Sequence, residues 1–159
     1  MRTIVMSLIW TILMLGIGYI AGVGMPDHSM AQYAQSPNGS YVAVVKNHWS
    51  IDPPNQSLWI KQNNTDKQRK LEDLQEDVNF IEGIHWSPNS DLVVFDTRCF
   101  LLGLRPADGK IMKVSKEWTT INGNNEPRPI VGITFIGSSQ FGYRYDGADN
   151  MVAVSMDSK

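Results

Sequence analysis

The chain has 159 residues and a mass of 17.9 kDa, the size of one ordinary domain or of a small domain with a targeting segment, which excludes a large multidomain enzyme. Hydrophobic residues at 42 %, charged residues at 19 % and a mean hydropathy of -0.22 are too apolar for a disordered chain and too polar for a multi-span transporter. Fourteen Lys and Arg against 16 Asp and Glu leave a formal charge of -2, so no basic footprint is offered to a phosphate backbone and nucleic acid is disfavoured as a partner.

Thr3 to Met25 is a run of 23 residues without a formal charge, rich in Ile, Leu, Met and Val. As a helix it would span about 34 Å, enough for a hydrocarbon core about 30 Å thick, whereas the apolar core of a signal peptide is about 7–15 residues. Length favours a signal anchor over residues 1–25, and the small residues Gly22 and Gly24, or Ser29 and Ala31, keep a cleaved signal peptide open as the alternative. Arg2 and the amino terminus are the positive flank, and no Lys or Arg follows until Lys46. That asymmetry predicts a single pass with the N-terminus inside and an extracytoplasmic bulk, or a secreted or periplasmic protein if the segment is cleaved. Residues 26–34 read as a linker.

Beyond residue 34 the chain repeats itself. Ser36-Pro37-Asn38-Gly39-Ser40-Tyr41-Val42-Ala43-Val44 recurs as Ser87-Pro88-Asn89-Ser90-Asp91-Leu92-Val93-Val94-Phe95, displaced by 51. A weaker third copy lays Gly132-Ile133-Thr134-Phe135 on Gly83-Ile84-His85-Trp86, displaced by 49, with Gly137-Ser138-Ser139 at the turn. A period of this length is the mark of a propeller, solenoid or array.

Taken in chain order, the first unit predicts strands at Tyr41–Lys46 and Leu58–Gln62, a polar hairpin around Asn63-Asn64-Thr65-Asp66, and a strand at Lys70-Leu71. The second predicts Ile81–Trp86, Leu92–Phe95, Leu101–Arg105 and Lys110–Val114. Pro106-Ala107-Asp108-Gly109 turns the last pair, since proline presets φ and Asp-Gly supplies a positive φ. The third predicts Gly132–Phe135 and Gln140–Tyr145 without an obvious fourth strand. Residues 28–34 are candidates to pair with that unfinished third sheet.

These units resemble the propeller repeats of TolB and of the amino-terminal domains of prolyl-oligopeptidase-type peptidases, where a tryptophan, Ser-Pro-Asp-Gly-Lys and an apolar strand open each four-stranded blade. The likeness rests on Trp86 to Phe95 and Ser36 to Val44, and covers about residues 32–156 at repeat level. It implies an all-β fold of two to three four-stranded antiparallel blades, an incomplete propeller, with blades about 35–80, 81–127 and 128–159. It carries over neither partners nor catalytic residues, because the extra TolB domain and any peptidase domain are absent. An incomplete propeller leaves strand edges and blade faces open, which points to a homo-oligomer or a docked partner.

Chemistry-bearing motifs are sparse. Cys99 reads as a small buried hydrophobe, and His28, His48 and His85 are too far apart in sequence for a zinc signature. Gly137-Ser138-Ser139-Gln140-Phe141-Gly142 lacks the spacing of a nucleophile elbow and reads as a turn. The charged stretch Asp66–Glu82 lacks the frame of a calcium loop and reads as a solvated loop, with Leu71, Leu74 and Val78 spaced to suit one helical turn. No catalytic residue, cofactor or metal ligand is expected. Trp59 and Trp86 sit at apolar strand positions and read as core. Trp49 and Trp118, flanked by polar residues, are the candidate contact aromatics, and Arg128 is the candidate recognition charge of a mobile rim loop, Thr120–Pro129. The expectation is an exported or membrane-anchored, non-enzymatic propeller-like binding or scaffold module for protein or peptide contacts. The alternatives are carbohydrate or envelope-ligand binding through Trp49 and Trp118, and an enzyme with an unrecognised site.

Overall fold

A computed structural model describes residues 28–48, 55–74 and 80–157. The predicted anchor or signal peptide, residues 1–25, lies outside the described residues. Among the described residues every regular element is a strand, and no helix among them is long and apolar enough to cross a membrane. The order is β1 (His28–Gln35), β2 (Tyr41–His48), β3 (Asn55–Gln62), β4 (Gln68–Leu74), β5 (Ile81–Trp86), β6 (Val93–Thr97), β7 (Phe100–Arg105), β8 (Lys110–Ser115), β9 (Trp118–Ile121), β10 (Asn124–Pro127), β11 (Ile130–Phe135), β12 (Gln140–Tyr145) and β13 (Val152–Ser155). They form four antiparallel sheets that do not close on themselves. The first is β1-β2-β3-β4, the second β5-β6-β7-β8, the third β11-β12-β13, and a hairpin β9-β10 stands between the second and third.

The sequence repeat has a structural cause. In both copies a serine opens the turn, its N–H donating to the carbonyl five residues on and its Oγ accepting from the N–H of that same residue. The distances are 2.9 and 3.0 Å for Ser36 with Tyr41, and 2.8 and 3.0 Å for Ser87 with Leu92. Gly39 and Ser90 occupy the same place in the two turns with φ of 72 and 65 degrees, the left-handed region. The turns also touch, the Asn38 N–H donating to Ser90 Oγ at 2.9 Å. The third copy has lost the serine–proline opening, and its shorter turn closes with the Ile136 N–H on the Gln140 carbonyl at 2.8 Å.

Alternation along the second sheet then decides the packing. Val93, Phe95, Phe100, Leu102 and Leu104 project to one side and join Ala43, Val45, Leu58, Ile60, Leu74 and Ile81 in a first core against the first sheet. Leu92, Val94 and Leu101 project to the other side and join Phe141, Tyr143, Tyr145 and Met156 in a second core against the third sheet. The second sheet is thus the middle of a three-layer stack, and its inner strands β6 and β7 are buried on both faces, each fully buried Leu, Val or Phe contributing about 1.5–3 kcal/mol. Gly103 permits the close approach on the second face: a Cβ there would stand 3.0 Å from Phe141 Cε1 and 3.1 Å from Met156 Sδ.

The structure corrects several expectations. Residues 28–34 belong to β1, which pairs with β2 of its own sheet and not with the third, and so they are neither linker nor closing strand. Trp86 seals that joint, its Nε1–H donating to the Ala34 carbonyl at 3.0 Å. Leu71 and Leu74 lie on strand β4 and not on a helical turn, because that strand completes the first sheet beside β3. Trp86 packs against the first core, but Trp59 does not. Leu58 and Ile60 take the core side of β3, so alternation turns Trp59 to the opposite face. There Lys46 Nζ covers it at 4.1 Å and its Nε1–H donates to Ser57 Oγ at 2.7 Å. Cys99 is half-buried against the first core, and burial pushes its thiol pKa up.

Candidate functional site

Thr120–Pro129 is not a loop: it runs from the end of β9 through the turn and β10. Asn122 and Gly123, with φ of 50 and 84 degrees, form the two-residue turn of a hairpin whose rungs run from Trp118↔Pro127 to Ile121↔Asn124. Four-residue strands are too short to stand alone in water, so the order of this hairpin must come from its base.

The base is built from three residues that flank the hairpin, Lys116, Glu117 and Arg128. Lys116, which leaves β8, donates its N–H to the Cys99 carbonyl at 2.9 Å and sends a nearly buried ammonium between Glu82 Oε2 at 2.7 Å and Asp96 Oδ1 at 2.8 Å. Burial raises the Asp96 carboxyl above its ordinary pKa, with Lys116 opposing that rise. Glu117 follows, its N–H donating to Tyr145 Oη at 2.8 Å. Tyr145 stands edge-on to Tyr143, 5.3 Å between centroids, and burial pushes the Tyr143 phenol up to about 12. Arg128 closes the base from the other strand. Its N–H donates to the Glu117 carbonyl at 2.8 Å, Nη1 to Glu117 Oε2 at 3.0 Å and Nη2 to the Asp146 carbonyl at 3.3 Å, while the guanidinium lies 4.6 Å from the Tyr145 ring centre.

Above this base opens a cleft of about 480 Å³, lined by Glu117, Trp118, Thr119, Ile121, Arg128, Pro129 and Asp146. Trp118 is 48 % exposed and Ile121 38 % exposed at its mouth. The cleft offers an aromatic face, carboxylate acceptors and one committed guanidinium, a set suited to holding a surface group. A smaller space of about 150 Å³ lies at the seam of the first and second sheets, where Arg69 Nη1 donates to the Gly109 carbonyl at 3.1 Å.

The structure brings Trp118 and Arg128 together in one cleft; Trp49 lies outside the described residues. Arg128 is an internal tie more than a free charge. Lys116 was legible only as a polar flank of Trp118, and Glu82 only as the end of an acidic stretch. Their partnership depends on the fold, since 34 residues separate them. Gly137, Ser138 and Ser139 lie in the β11–β12 turn. Among the described residues, no group of three His, Cys, Asp or Glu is placed to hold a metal ion. No protein-family model matches the chain, and no curated protein matches it in sequence.

Proposed function

We propose that this chain is a propeller-like binding or scaffold module, held at or exported across a membrane by residues 1–25, which makes protein or peptide contacts without catalysing a reaction. The observation that carries this reading is the hairpin β9-β10: a base tied to two sheets holds Trp118 at the first rung and Ile121 at the last, both exposed and both lining an open cleft. A half-exposed tryptophan on a preorganised support is the kind of anchor that dominates protein interfaces, because little ordering entropy is left to lose on binding. The TolB-like reading of the stack is supported by the shared turn geometry at Ser36 and Ser87 and by consecutive antiparallel sheets packed face to face.

The test is site-specific photo-crosslinking in cells producing the full chain. A photoreactive residue at Ile121 is expected to give a discrete adduct with another protein, and the same residue at the exposed turn position Thr65 is expected to give none. Absence of an adduct at Ile121, or an equal adduct at both positions, refutes the assignment of contact to the hairpin.

A further inference from the structure

The face that the first sheet turns toward the second is apolar only as far as Ile60. Leu58 and Ile60 project into the first core, and alternation puts Gln62 on the same side at the end of β3. Directly opposed residues of antiparallel strands share a face. Tyr41 is paired with Gln62, the Gln62 N–H donates to the Lys67 carbonyl at 3.0 Å, and Arg69 is paired with Ile60. Tyr41, Gln62, Lys67 and Arg69 therefore border the end of the seam between the two sheets, where the space of about 150 Å³ opens. Ile60, Leu104 and Pro106 give it an apolar wall, and no carboxylate lines it.

Arg69 is held across the mouth. Its Nη1 donates to the Gly109 carbonyl at 3.1 Å, and Gly109, with φ of 70 degrees, leaves room for it, since a Cβ there would run into Nη1. Among the described residues neither Arg69 nor Lys67 has an ion-pair partner. The neighbouring acids are engaged by other cations: Glu72 by Lys113 at 3.0 Å, Asp73 by Lys70 at 2.7 Å and Asp108 by Arg105 at 2.6 Å.

The stretches outside the described residues join the first sheet at its opposite end. His28 is paired with His48, His48 with Asn55, and Leu74 with Gln56, which also accepts the Ile81 N–H at 3.2 Å. Gln56 lies about 20 Å from Gln62 along β3, and stretches as short as 49–54 and 75–79, tied at both ends, reach no more than about 13 Å from there. Asp157 is bonded to Arg105, whose side chain alternates away from Leu104 to the other face of the second sheet.

We propose that this seam binds a small aliphatic carboxylate, its oxygens on Arg69 and Lys67 and its hydrocarbon chain against Ile60, Leu104 and Pro106. A fork of guanidinium N–H groups beside an ammonium selects an oxyanion. A space of this volume holds about six non-hydrogen atoms, which a four-carbon carboxylate supplies. The site lies at a different seam from the hairpin β9-β10 and does not depend on the contact reading.

The test is an NMR titration of butyrate into the purified full chain in nonionic detergent. Saturable amide shifts are expected at Gln62 and Gly109, with none at Tyr143 in the third sheet. Butyramide, which lacks the charge, and formate, which lacks the chain, should each bind about tenfold more weakly. Lys67→Gln with Arg69→Gln should weaken butyrate about tenfold, and both side chains are exposed, so the fold has little to lose. If that double variant does not fold, the comparison of butyrate with butyramide on the wild-type chain decides alone. Absence of a saturable shift, butyramide or formate binding as well as butyrate, or a folded double variant that binds unchanged overturns the site. A capped Gly-Glu-Gly peptide that binds more tightly than butyrate also overturns it, because the occupant is then a protein side chain.

Discussion

Replacing Lys116 by Met removes the cation that joins the base of the hairpin to the second sheet. The two carboxylates it leaves behind are unequal. Glu82 is 37 % exposed and returns to water, so its share of the pairing is worth about 0–1 kcal/mol. Asp96 is 10 % exposed and cannot do so. Breaking a buried pair costs about 3–5 kcal/mol, and the partial solvation here places the expected loss near 3 kcal/mol at pH 7.5. The loss has a pH signature. Burial already raises the Asp96 carboxyl above 3.8, so the folded state binds that proton more tightly than the unfolded chain. The stability this contributes is fully present below about pH 3.8 and disappears as pH rises through the folded pKa. Without the lowering influence of Lys116 the folded pKa climbs further and the stability disappears over a wider range. The deficit of the variant is therefore largest at neutral pH and shrinks on acidification. Urea unfolding at pH 7.5 and pH 4.5 measures it, and Lys116→Met with Asp96→Leu, which leaves no buried charge, should recover most of the loss. A single variant within about 0.5 kcal/mol of wild type at pH 7.5, or a deficit equal at the two pH values, refutes this reasoning.

Tyr145→Phe keeps the ring under Arg128 but removes the acceptor of the Glu117 N–H; about 1 kcal/mol should be lost, with faster amide exchange at Glu117 and unchanged exchange in β6. Ser87→Ala strips the acceptor from the N–H of fully buried Leu92 and should cost about 1–3 kcal/mol in denaturant unfolding, more than Ser36→Ala, whose Tyr41 is only half-buried. Gly103→Ala drives a Cβ against Phe141 and Met156 and should cost about 1–3 kcal/mol, visible as a lowered thermal midpoint. Gly123→Ala meets no atom within 4 Å, so its cost of about 1 kcal/mol is backbone strain alone and should appear as faster exchange in β9-β10 only.

The second unit was the most legible part of the sequence, and β5 spans the predicted Ile81–Trp86. Its turns are local chemistry, Ser-Pro-Asn at one end and Pro-Ala-Asp-Gly at the other, and its inner strands β6 and β7 are largely apolar runs because both faces are buried. β1 was misread because His28 to Gln35 has no apolar alternation of its own; it is ordered by pairing with β2, a non-local cause. The hairpin β9-β10 was missed although Asn122-Gly123 between Ile121 and Asn124 is a recognised turn signal, and the surrounding Pro127 and Pro129 drew the reading toward a loop. Trp118 was legible as a candidate by its polar flanks, and Arg128 by its place in the Gly- and Pro-containing stretch Thr120–Pro129. That one is half-exposed and the other a tie to Tyr145 was not, since Tyr145 lies 17 positions beyond Arg128.

The division between base and tip has an energetic consequence. Nearly all the interactions that order the hairpin, the Lys116 ion pairs, the Glu117 to Tyr145 bond and the four contacts of Arg128, lie below the first rung, and two sheets share them. Thr120, Asn122 and Asn125 are exposed beyond that rung, and Asn125 is outside the turn that sets the backbone. Substitutions at Thr120 or Asn125 should therefore shift stability by no more than about 0.5 kcal/mol while changing the surface offered to a partner. Changes at Lys116, Tyr145 or Arg128 act on stability and presentation together. The surface at the tip can thus vary without disturbing the joint between the second and third sheets, which is the property that the proposed contact role requires.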